Sequence, residues 1–426
     1  MQLTSKIRIY PTVEQEGVLW TLSEQCRLIY NFALSDRKME YETTGKTISY
    51  VEQQNRLPEI KEMFPKYKQV NSKVLQMVLR TLEANYRSFF ALIKQDPLVN
   101  SPGYRGKDYF FTMKYNQSGF EIEGDRVSLA HKVVDGAKLR FVIPSGMTFT
   151  NVKQVDIFQD TGKWYLSIVD EILPPGYTNN DLYQAFDLGI TKQTAVNTDG
   201  KFFEIKNIRP DKYWIKPITE LQSRRDHCKK RDKRKKNCKV SSKRWVQLNN
   251  LKRKCERKCS NQIKDFQHKV SKMIVENTRA NTIIIGDLDV KSMPKSKKTV
   301  MNKKAKRTLN RSTQGTGYLG RFAEFLTYKA ERIGKKVIEI SERGTSKQCC
   351  KCGKIHSEMT LENRIMECDC GNHIDRDRNS SVNIMVRFLS QNALWTGYQR
   401  FADNLRKTGL DIISVHSQEA PCVSVG

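Results

Sequence analysis

Residues 184–190 read QAFDLGI, and this stretch decides the fold of the second half of the chain. Apolar residues surround a single carboxylate, Asp187, as expected where a buried strand ends. Residues 195–197 and 201–205 flank an Asp-Gly pair at 199–200, which is a favoured turn between antiparallel strands. The stretch therefore predicts a β-hairpin that opens an α/β domain and carries an acidic group at a strand end.

Further strands and helices alternate downstream of this hairpin. Residues 281–286 (NTIIIG) and 336–340 have the composition of buried strands, while residues 318–333 have helical periodicity. Residues 212–260 favour helix by residue choice, with an interruption at 237–242. This alternation predicts an α/β layer architecture.

The first 172 residues are organised differently. Residues 6–10 alternate as a short strand does, residues 72–94 place apolar side chains four apart as in a helix, and residues 109–172 form short alternating runs separated by glycine. We therefore expect a β-structured unit, a small barrel, that is interrupted by helices. Residues 173–180 (LPPGYTNN) have the composition of a linker.

Five of the eleven cysteines lie between Cys349 and Cys370. Cys349-x-x-Cys352 and Cys368-x-Cys370 form two tight pairs that can each supply two thiolates to a tetrahedral zinc ion, and Cys350 is a further candidate for the first pair. Four thiolates close the coordination sphere, so the sequence predicts a structural zinc. The alternative is a set of reduced cysteines in a loop.

The chain of 426 residues has a formal net charge of +29, most of it in two segments. Residues 212–260 carry a net +15, and residues 291–311 contain nine basic residues and no acid. This concentration indicates a polyanionic partner, nucleic acid before membrane, with a generally basic protein of ribosomal type as the alternative. No apolar run approaches the roughly 18 residues of a membrane span, and the N-terminus lacks a signal-peptide pattern, so we expect an intracellular protein.

The string HIDRDRNSSVNI at 373–384 places Asp375 and Asp377 directly after the cysteine cluster. Alone, it is also compatible with a charged helix start. Together with Asp187 and the strand at 281–286, it resembles a RuvC-type nuclease domain split by insertions. In that fold, acidic residues from separate segments hold two divalent ions that activate water and stabilise the leaving oxygen of a phosphodiester.

From the first strand to about residue 390, the chain resembles the TnpB family of transposon-encoded RNA-guided nucleases, from which miniature type V CRISPR effectors descend. The resemblance rests on the order and spacing of several strings, namely KIRIYP at 6–11, the helix at 72–90, PGYR at 102–105, DLGI at 187–190, DFQHKVS at 265–271, YKAE at 328–331, TSKQC at 345–349 and DRDRN at 375–379.

The resemblance implies an α+β multidomain fold. Its expected parts are a β-barrel wedge domain (1–10 and 103–172), a helical recognition domain inserted in it (11–102), a linker (173–180), a RuvC-like domain of RNase H fold (181–345 and 373–395), a four-cysteine zinc ribbon inserted in that domain (346–372), and a C-terminal tail (396–426).

The resemblance also assigns the nuclease site, with one departure from the family pattern. Asp187 and Asp377 match the first and last catalytic aspartates. The family's middle glutamate falls at Gly286, in the string IIGDL at 284–288, and glycine cannot ligate a metal. Asp287 is adjacent, but neighbouring strand residues face opposite sides, so we expect it to point away from Asp187, and Asp289 lies further out.

Three interpretations of this departure compete. The leading one is an RNA-guided DNA-binding protein that is not an enzyme, resembles the nuclease-dead TnpB-like repressors, and represses transcription by occupying its target. The second is an active, Mg²⁺-dependent RNA-guided DNA endonuclease in which Asp287 or another acid replaces the glutamate. The third is an engineered or degenerate copy without function.

The expected partners are a guide RNA and double-stranded DNA with a short flanking motif, and we expect neither a membrane nor a small-molecule substrate. Structural Zn²⁺ is the expected cofactor, with Mg²⁺ only if nuclease activity remains, and the expected location is the bacterial cytoplasm, at the nucleoid. Phosphate contacts are assigned to a basic helical segment, with a solvated charged helix as the alternative: Arg224, Arg225, Lys229, Lys230, Arg231, Lys233 and Arg234. Residues that resemble the family's readers of the flanking motif are Tyr50, Ser72, Gln76, Lys114 and Asn116, and for Tyr50 a packing role is the alternative.

Overall fold

A computed structural model describes residues 1–131, 139–144, 146–232, 242–287, 311–360 and 362–412. The chain divides into two units, Met1–Leu173 and Pro174–Gly426. Within the described residues, every helix is too short or too polar to cross a lipid bilayer.

The first unit begins with strand β1 and four helices, and then continues as β-structure. Its elements are β1 (Gln2–Ile9), α1 (Val13–Thr44), α2 (Tyr50–Asn55), α3 (Leu57–Met63), a 3₁₀ turn (Pro65–Gln69), α4 (Ser72–Ile93), β2 (Met113–Asn116), β3 (Phe120–Glu123), β4 (Arg126–Leu129), β5 (Leu139–Val142), β6 (Val152–Asp160) and β7 (Lys163–Glu171).

The barrel expected from the sequence is wrong for the described part of this unit. An antiparallel sheet in the order β1-β7-β6-β2 leaves β1 and β2 as unpaired edges, and β3, β4 and β5 form a separate sheet. The larger sheet shares one apolar core with the helices, in which Leu19 and Leu75 pack with Ile157 and Leu166. Because the helices bury the apolar side chains of the strands, the sheet has no need to close on itself.

The second unit is the α/β layer structure that the sequence predicts. Its elements are β8 (Tyr183–Leu188), β9 (Lys192–Asn197), β10 (Phe202–Lys206), α5 (Pro210–Asp232), α6 (Lys243–Asn277), β11 (Thr282–Asp287), a π-helical turn (Arg311–Gly315), α7 (Gly320–Arg332), β12 (Lys336–Ser341), β13 (Ile365–Glu367), β14 (His373–Asp375), α8 (Arg376–Gln391) and α9 (Trp395–Lys407).

The central sheet of this unit has the order β10-β9-β8-β11-β12. Strands β8, β9 and β10 are antiparallel, which confirms the predicted hairpin, whereas β11 runs parallel to both β8 and β12. The carboxyl ends of three parallel strands therefore meet at one edge, where binding and catalytic groups of α/β folds commonly lie.

Helices cover both faces of this sheet. Ala185, Ile284 and Ile340 pack on one face with residues of α8 and α9, while Ile283 and Ile285 pack on the other with residues of α6 and α7. Helix α9 lies in the segment expected to be a tail, and its buried side chains, among them Phe401 and Leu405, belong to the core because they complete the layer beside α8. Successive residues of a strand alternate between the two layers, so the layers identify which side each strand residue faces.

Candidate functional site

Asp187 and Asp377 are 190 positions apart in the sequence, and the fold brings them together. Asp187 lies near the carboxyl end of β8, and by alternation it shares the face of Ala185, which α8 covers. Asp377 lies in the first turn of α8, and Ser380 of the same helix donates a hydrogen bond to Asp187. Burial, and then the charge of Asp377, raise the pKa of Asp187 to about 7.

Gly286 is the direct neighbour of Asp187 on the next strand. The parallel ladder pairs Ile285 of β11 with Phe186 of β8, so the residue that follows each of them continues the same register. Gly286 also shares the face of Ile284, which α8 covers. A side chain at position 286 would therefore point to the same place as Asp187.

Glu342 occupies that place. It follows directly after β12, whose Ile340 pairs with Gly286. A Cβ atom built on Gly286 would overlap Oε2 of Glu342 and would lie 2.9 Å from both Cβ and Cδ of that residue. The Glu342 carboxylate therefore fills the space that a side chain at position 286 would need, and we refer to Asp187, Glu342 and Asp377 as the acidic centre.

Among the described residues, no basic group forms an ion pair with the buried carboxyl group of Glu342. Burial first, and then the charges of Asp187 and Asp287, raise its pKa to about 8, against a smaller opposing effect of Arg387. Its Oε2 atom is buried and has no hydrogen-bond partner among the described residues. A buried acceptor without a partner is costly, so this oxygen is available for a ligand.

Asp287 faces away from the acidic centre, as the alternation of strand residues predicts. It alternates with Gly286 and is exposed at the end of β11. Asp287, Tyr328 and Glu339 line a cavity of about 490 Å³ on the face covered by α7. Asp289 and residues 291–310 lie outside the described residues, so the basic segment predicted there has no structural account.

Sequence reasoning missed Glu342. A signal that could identify it is its position two residues beyond the predicted strand at 336–340, because carboxyl ends of parallel strands meet at one edge. The sequence did not establish that β12 lies next to β11. Without that neighbour relation, a residue 56 positions from Gly286 carries no signal of proximity.

The four predicted zinc ligands lie together. The sulphur atoms of Cys349, Cys352, Cys368 and Cys370 are all within 4.8 Å of one another. Two of the separations are 3.7 Å (Cys349–Cys370) and 3.5 Å (Cys352–Cys368), close to the roughly 3.8 Å edge of a tetrahedron with Zn–S bonds of about 2.3 Å. The donor set and its geometry fit zinc. Cys350 is buried outside the cluster, in the core beside α8.

Hydrogen bonds link the cysteine cluster to the acidic centre. Asn379 of α8 accepts from the backbone N–H of Cys350 at 2.9 Å, and its side chain donates to the Gln348 carbonyl at 2.7 Å. The hydroxyl of Thr345 donates to the backbone oxygen of Glu342 at 2.8 Å and lies 2.9 Å from the hydroxyl of Ser380. The segment between β12 and the first cysteine is thus fixed on the helix that carries Asp377.

Five of the seven predicted basic contacts lie on α5, which forms a helical hairpin with α6, and Lys233 and Arg234 lie outside the described residues. Arg224 is exposed. Arg225 instead binds Asp226 at 2.8 Å and Asn249 at 3.1 Å, and lies over the ring of Trp245, so it joins the two helices. The backbone of Lys229, Lys230 and Arg231 continues α5, and their side chains lie outside the described residues.

The residues expected to read the flanking motif lie in the first unit. Tyr50 bonds Gln54 and accepts from Arg80 at 3.1 Å, which suits a packing role. Three others are partly buried: Gln76 on α4, and Lys114 and Asn116 on β2. Ser72 accepts from Lys61 at 2.6 Å and borders a basic cleft of about 460 Å³ that also contains Lys68 and Lys73.

Comparison with known proteins identifies the class first. Three family descriptions match separate parts of the chain: a helix-turn-helix domain over residues 1–46, a probable transposase over 177–297, and a Cas12f1-like TNB domain over 320–384. They follow the order of the two structural units and together place the chain among transposon-encoded proteins.

Individual relatives then give the family. A protein of Streptomyces pristinaespiralis named "Putative RNA-guided DNA endonuclease" is 28% identical over 97% of this chain and 96% of its own length. InsQ of Escherichia coli K12, which carries the same description, is 27% identical over 89% and 91%. The TnpB-like protein L79 of Acanthamoeba polyphaga mimivirus is 36% identical over 34% of this chain and 26% of its own. Together, these matches support membership of the TnpB family.

Proposed function

We propose that this protein is an RNA-guided DNA endonuclease. A guide RNA pairs with one strand of double-stranded DNA that carries a short flanking motif, and the acidic centre cuts the bound DNA. Two relatives that align over nearly their whole length carry the name of this activity. The proposal departs from the interpretation that Gly286 makes the protein inactive.

The position of Glu342 carries this proposal. Two aspartates alone would leave a pair of closely spaced divalent ions poorly compensated, because like charges at short range repel strongly. The Glu342 carboxylate adds a third acidic group at the place where a side chain of residue 286 would lie. The carboxylate that position 286 cannot supply is thereby present in the same space, from Glu342.

The acidic centre would hold divalent cations, and its residues fit them. Carboxylate oxygens are the ligands that Mg²⁺ prefers, and the buried Oε2 of Glu342 has no other partner among the described residues. When bound, such ions lower the pKa of an attacking water and stabilise the leaving oxygen of a phosphodiester. Because the pKa values of Asp187 and Glu342 are raised, both carboxyl groups must release protons when they become ligands.

Two further parts of the proposal concern nucleic acid and zinc. The basic hairpin of α5 and α6, with Arg224 exposed, would contact phosphates of the guide RNA or of its hybrid with DNA. The four clustered cysteines would hold one structural Zn²⁺. Tyr50, Ser72, Gln76, Lys114 and Asn116 are proposed to border the flanking motif, and binding to DNA would place the protein at the nucleoid.

A cleavage assay tests the activity. The protein is purified with its co-expressed guide RNA and incubated with matched or mismatched DNA and Mg²⁺. We expect cleavage of the matched DNA only, and a loss of at least about 100-fold in the Asp187→Ala and Glu342→Gln variants. Glu339→Gln, an exposed acid of the same strand, is the matched control and should cut normally. Matched DNA that is bound but stays intact would overturn the proposal.

A second candidate function is guide-directed repression without cleavage, and Gly286 is the observation that favours it. In this case the protein would bind the matched DNA, leave it intact, and lower transcription from a promoter placed at the target. Asp187→Ala would then have no effect on repression, whereas the same substitution would abolish cutting if the protein is an endonuclease.

A further inference from the structure

Lys192 lies among three carboxylates at the edge of the acidic centre. Its Nζ atom is 3.0 Å from Oδ1 of Asp375, 3.3 Å from Oε1 of Glu204 and 3.8 Å from Oδ2 of Asp377. The side chain is only 21% exposed. These acids come from a hairpin strand and from the start of α8, which are separated by about 170 residues of chain.

The contact with Asp375 reaches the backbone of the helix that carries Asp377. Asp375 is the N-cap of α8, and its Oδ1 accepts from the backbone N–H groups of Asp377 at 3.0 Å and Arg378 at 3.2 Å. The same oxygen accepts from Lys192. A cap oxygen held in this way fixes the first helical turn, and with it the direction of the Asp377 side chain.

Glu204 provides a second connection between the hairpin and α8, next to the contact of Lys192 with Asp375. Glu204, on β10, accepts from Arg378 of α8 at 2.7 Å and from Lys192 at 3.3 Å. The start of α8 is therefore attached to the β9–β10 hairpin at two points, through Asp375 and through Arg378.

The hairpin end of this attachment is itself fixed relative to Asp187. Lys192 begins β9 after the turn that follows β8. Gln193 donates to the Gly189 carbonyl at 3.0 Å and accepts from its N–H at 3.2 Å, and Asn207 donates to the same carbonyl at 2.8 Å. Both amide side chains are buried. A buried network of satisfied hydrogen bonds keeps this turn rigid.

We propose that Lys192 is a positioning residue for the divalent-cation site. Through Asp375 and Asp377, it holds the start of α8 at the distance from β8 that lets Asp187 and Asp377 bind the same cations. This inference rests on the proposed endonuclease function only for its effect on cutting, because cation binding can be measured without it.

Removal of Lys192 should change the affinity for a divalent cation in opposite directions, depending on whether the lysine positions Asp377 or acts only through its charge. Lys192 places a positive charge 3.8 Å from a carboxylate oxygen of Asp377. If the lysine acted only through this charge, its removal would strengthen the binding of a divalent cation, because like charges repel. If it positions Asp377, its removal weakens cation binding, as the loss of groups that orient metal ligands commonly does by about 10–100-fold.

The test is Mn²⁺ titration of the full-length protein, followed by electron paramagnetic resonance of the free ion. Asp187→Asn identifies the binding that belongs to the acidic centre. We expect Lys192→Met to weaken this binding by about 10-fold or more, with Lys192→Arg retaining most of it. Lys201→Met changes an exposed lysine of the same hairpin and should have no effect. Thermal unfolding and zinc content must match the wild type, so that misfolded variants are set aside.

Two comparisons complete the design. Lys192→Met and Asp375→Asn should be less than additive in their effect on Mn²⁺ affinity, since both act through one cap. Unchanged or tighter Mn²⁺ binding by Lys192→Met would overturn the inference. Mn²⁺ binding that depends on Lys192, in a protein that leaves matched DNA intact, would uphold the inference and reject the proposed nuclease function.

Discussion

The cysteine cluster and the acidic centre are both sets of potential metal ligands in the second unit, and they are built in opposite ways. The four cysteines lie within 22 consecutive residues, and their spacing alone identifies them. The three acids of the centre come from positions 187, 342 and 377, on two strand ends and a helix.

This difference shows what a sequence motif can establish. In the cysteine cluster the chain between ligands is short, so the spacing restricts the geometry and each position is defined by its neighbours. In the acidic centre, a carboxylate from any part of the chain can act as a cation ligand if its side chain reaches the space next to Asp187. A carboxylate can therefore be absent at Gly286 and present from Glu342, with no trace in local spacing.

The largest effect is expected at the cysteine cluster. Cys352→Ser should abolish stoichiometric zinc binding and unfold the ribbon, because structural zinc supplies about 10 kcal/mol or more of folding free energy in small zinc modules. Cleavage should be lost as well, since Thr345 and Asn379 connect this segment to the acidic centre. Zinc content and thermal unfolding measure the effect. Cys228→Ser, on α5, is the control, and a variant that keeps one zinc ion would contradict the assignment.

The next effect tests whether Glu342 supplies the carboxylate that position 286 lacks. Gly286→Glu alone should lower cleavage by at least about 10-fold, because the new side chain overlaps Glu342. The double variant Gly286→Glu/Glu342→Gly should recover most of the activity, because it returns the carboxylate to the neighbouring strand. Cleavage rates at saturating Mg²⁺ measure both. If Gly286→Glu alone increases cutting, Glu342 does not supply the carboxylate that position 286 lacks.

A smaller effect should appear in the pH dependence of the free energy of unfolding, and it comes from the two buried carboxyl groups Asp187 and Glu342. The pKa values of Asp187 and Glu342 are raised from 3.8 and 4.5 to about 7 and about 8. Between about pH 4 and pH 8 the folded protein therefore binds more protons than the unfolded chain, and the free energy of unfolding falls as the pH rises.

Glu342→Gln should remove part of this slope, so that the variant is more stable than the wild type at pH 8 by on the order of 2 kcal/mol. The two proteins should converge near pH 4. Denaturant unfolding in Mg²⁺-free buffer measures the difference, and Mg²⁺ should reduce it by binding the ionised carboxylates. Equal slopes for wild type and variant would show that Glu342 does not titrate as described.

The smallest effect is a difference between two neighbouring arginines of the basic hairpin, one expected to bind RNA and the other to stabilise the fold. Arg224→Ala should reduce the slope of log K against log salt concentration for guide-RNA binding by about one, because one phosphate contact is lost. Thermal stability should stay unchanged. Arg225→Ala should lower thermal stability, because Arg225 joins α5 to α6. Binding measured from 50 to 300 mM salt, alongside melting curves, checks both. The opposite pattern would show that the hairpin binds RNA through its inner face.

Much of the second unit could be predicted from sequence, because its strands are short apolar runs and its helices are periodic. The hairpin of β8, β9 and β10 and the strands β11 and β12 all form close to their predicted positions. The expected barrel does not close in the described part of the first unit, since alternation predicts strands but not whether helices or other strands cover them. Helix α9 was missed, although Tyr398, Phe401 and Leu405 repeat at helical spacing and are buried in the core.

The sequence by itself determined the charge, the cysteine cluster and its spacing, the two aspartates and the absence of a carboxylate at Gly286. All of these depend on residue identity or on short spacing. Only the tertiary structure decided that β12 lies beside β11 and that Glu342 fills the space next to Asp187. The physical reason is that neighbours in a parallel sheet are joined by long crossover connections, so their proximity arises from the packing of whole layers rather than from local sequence.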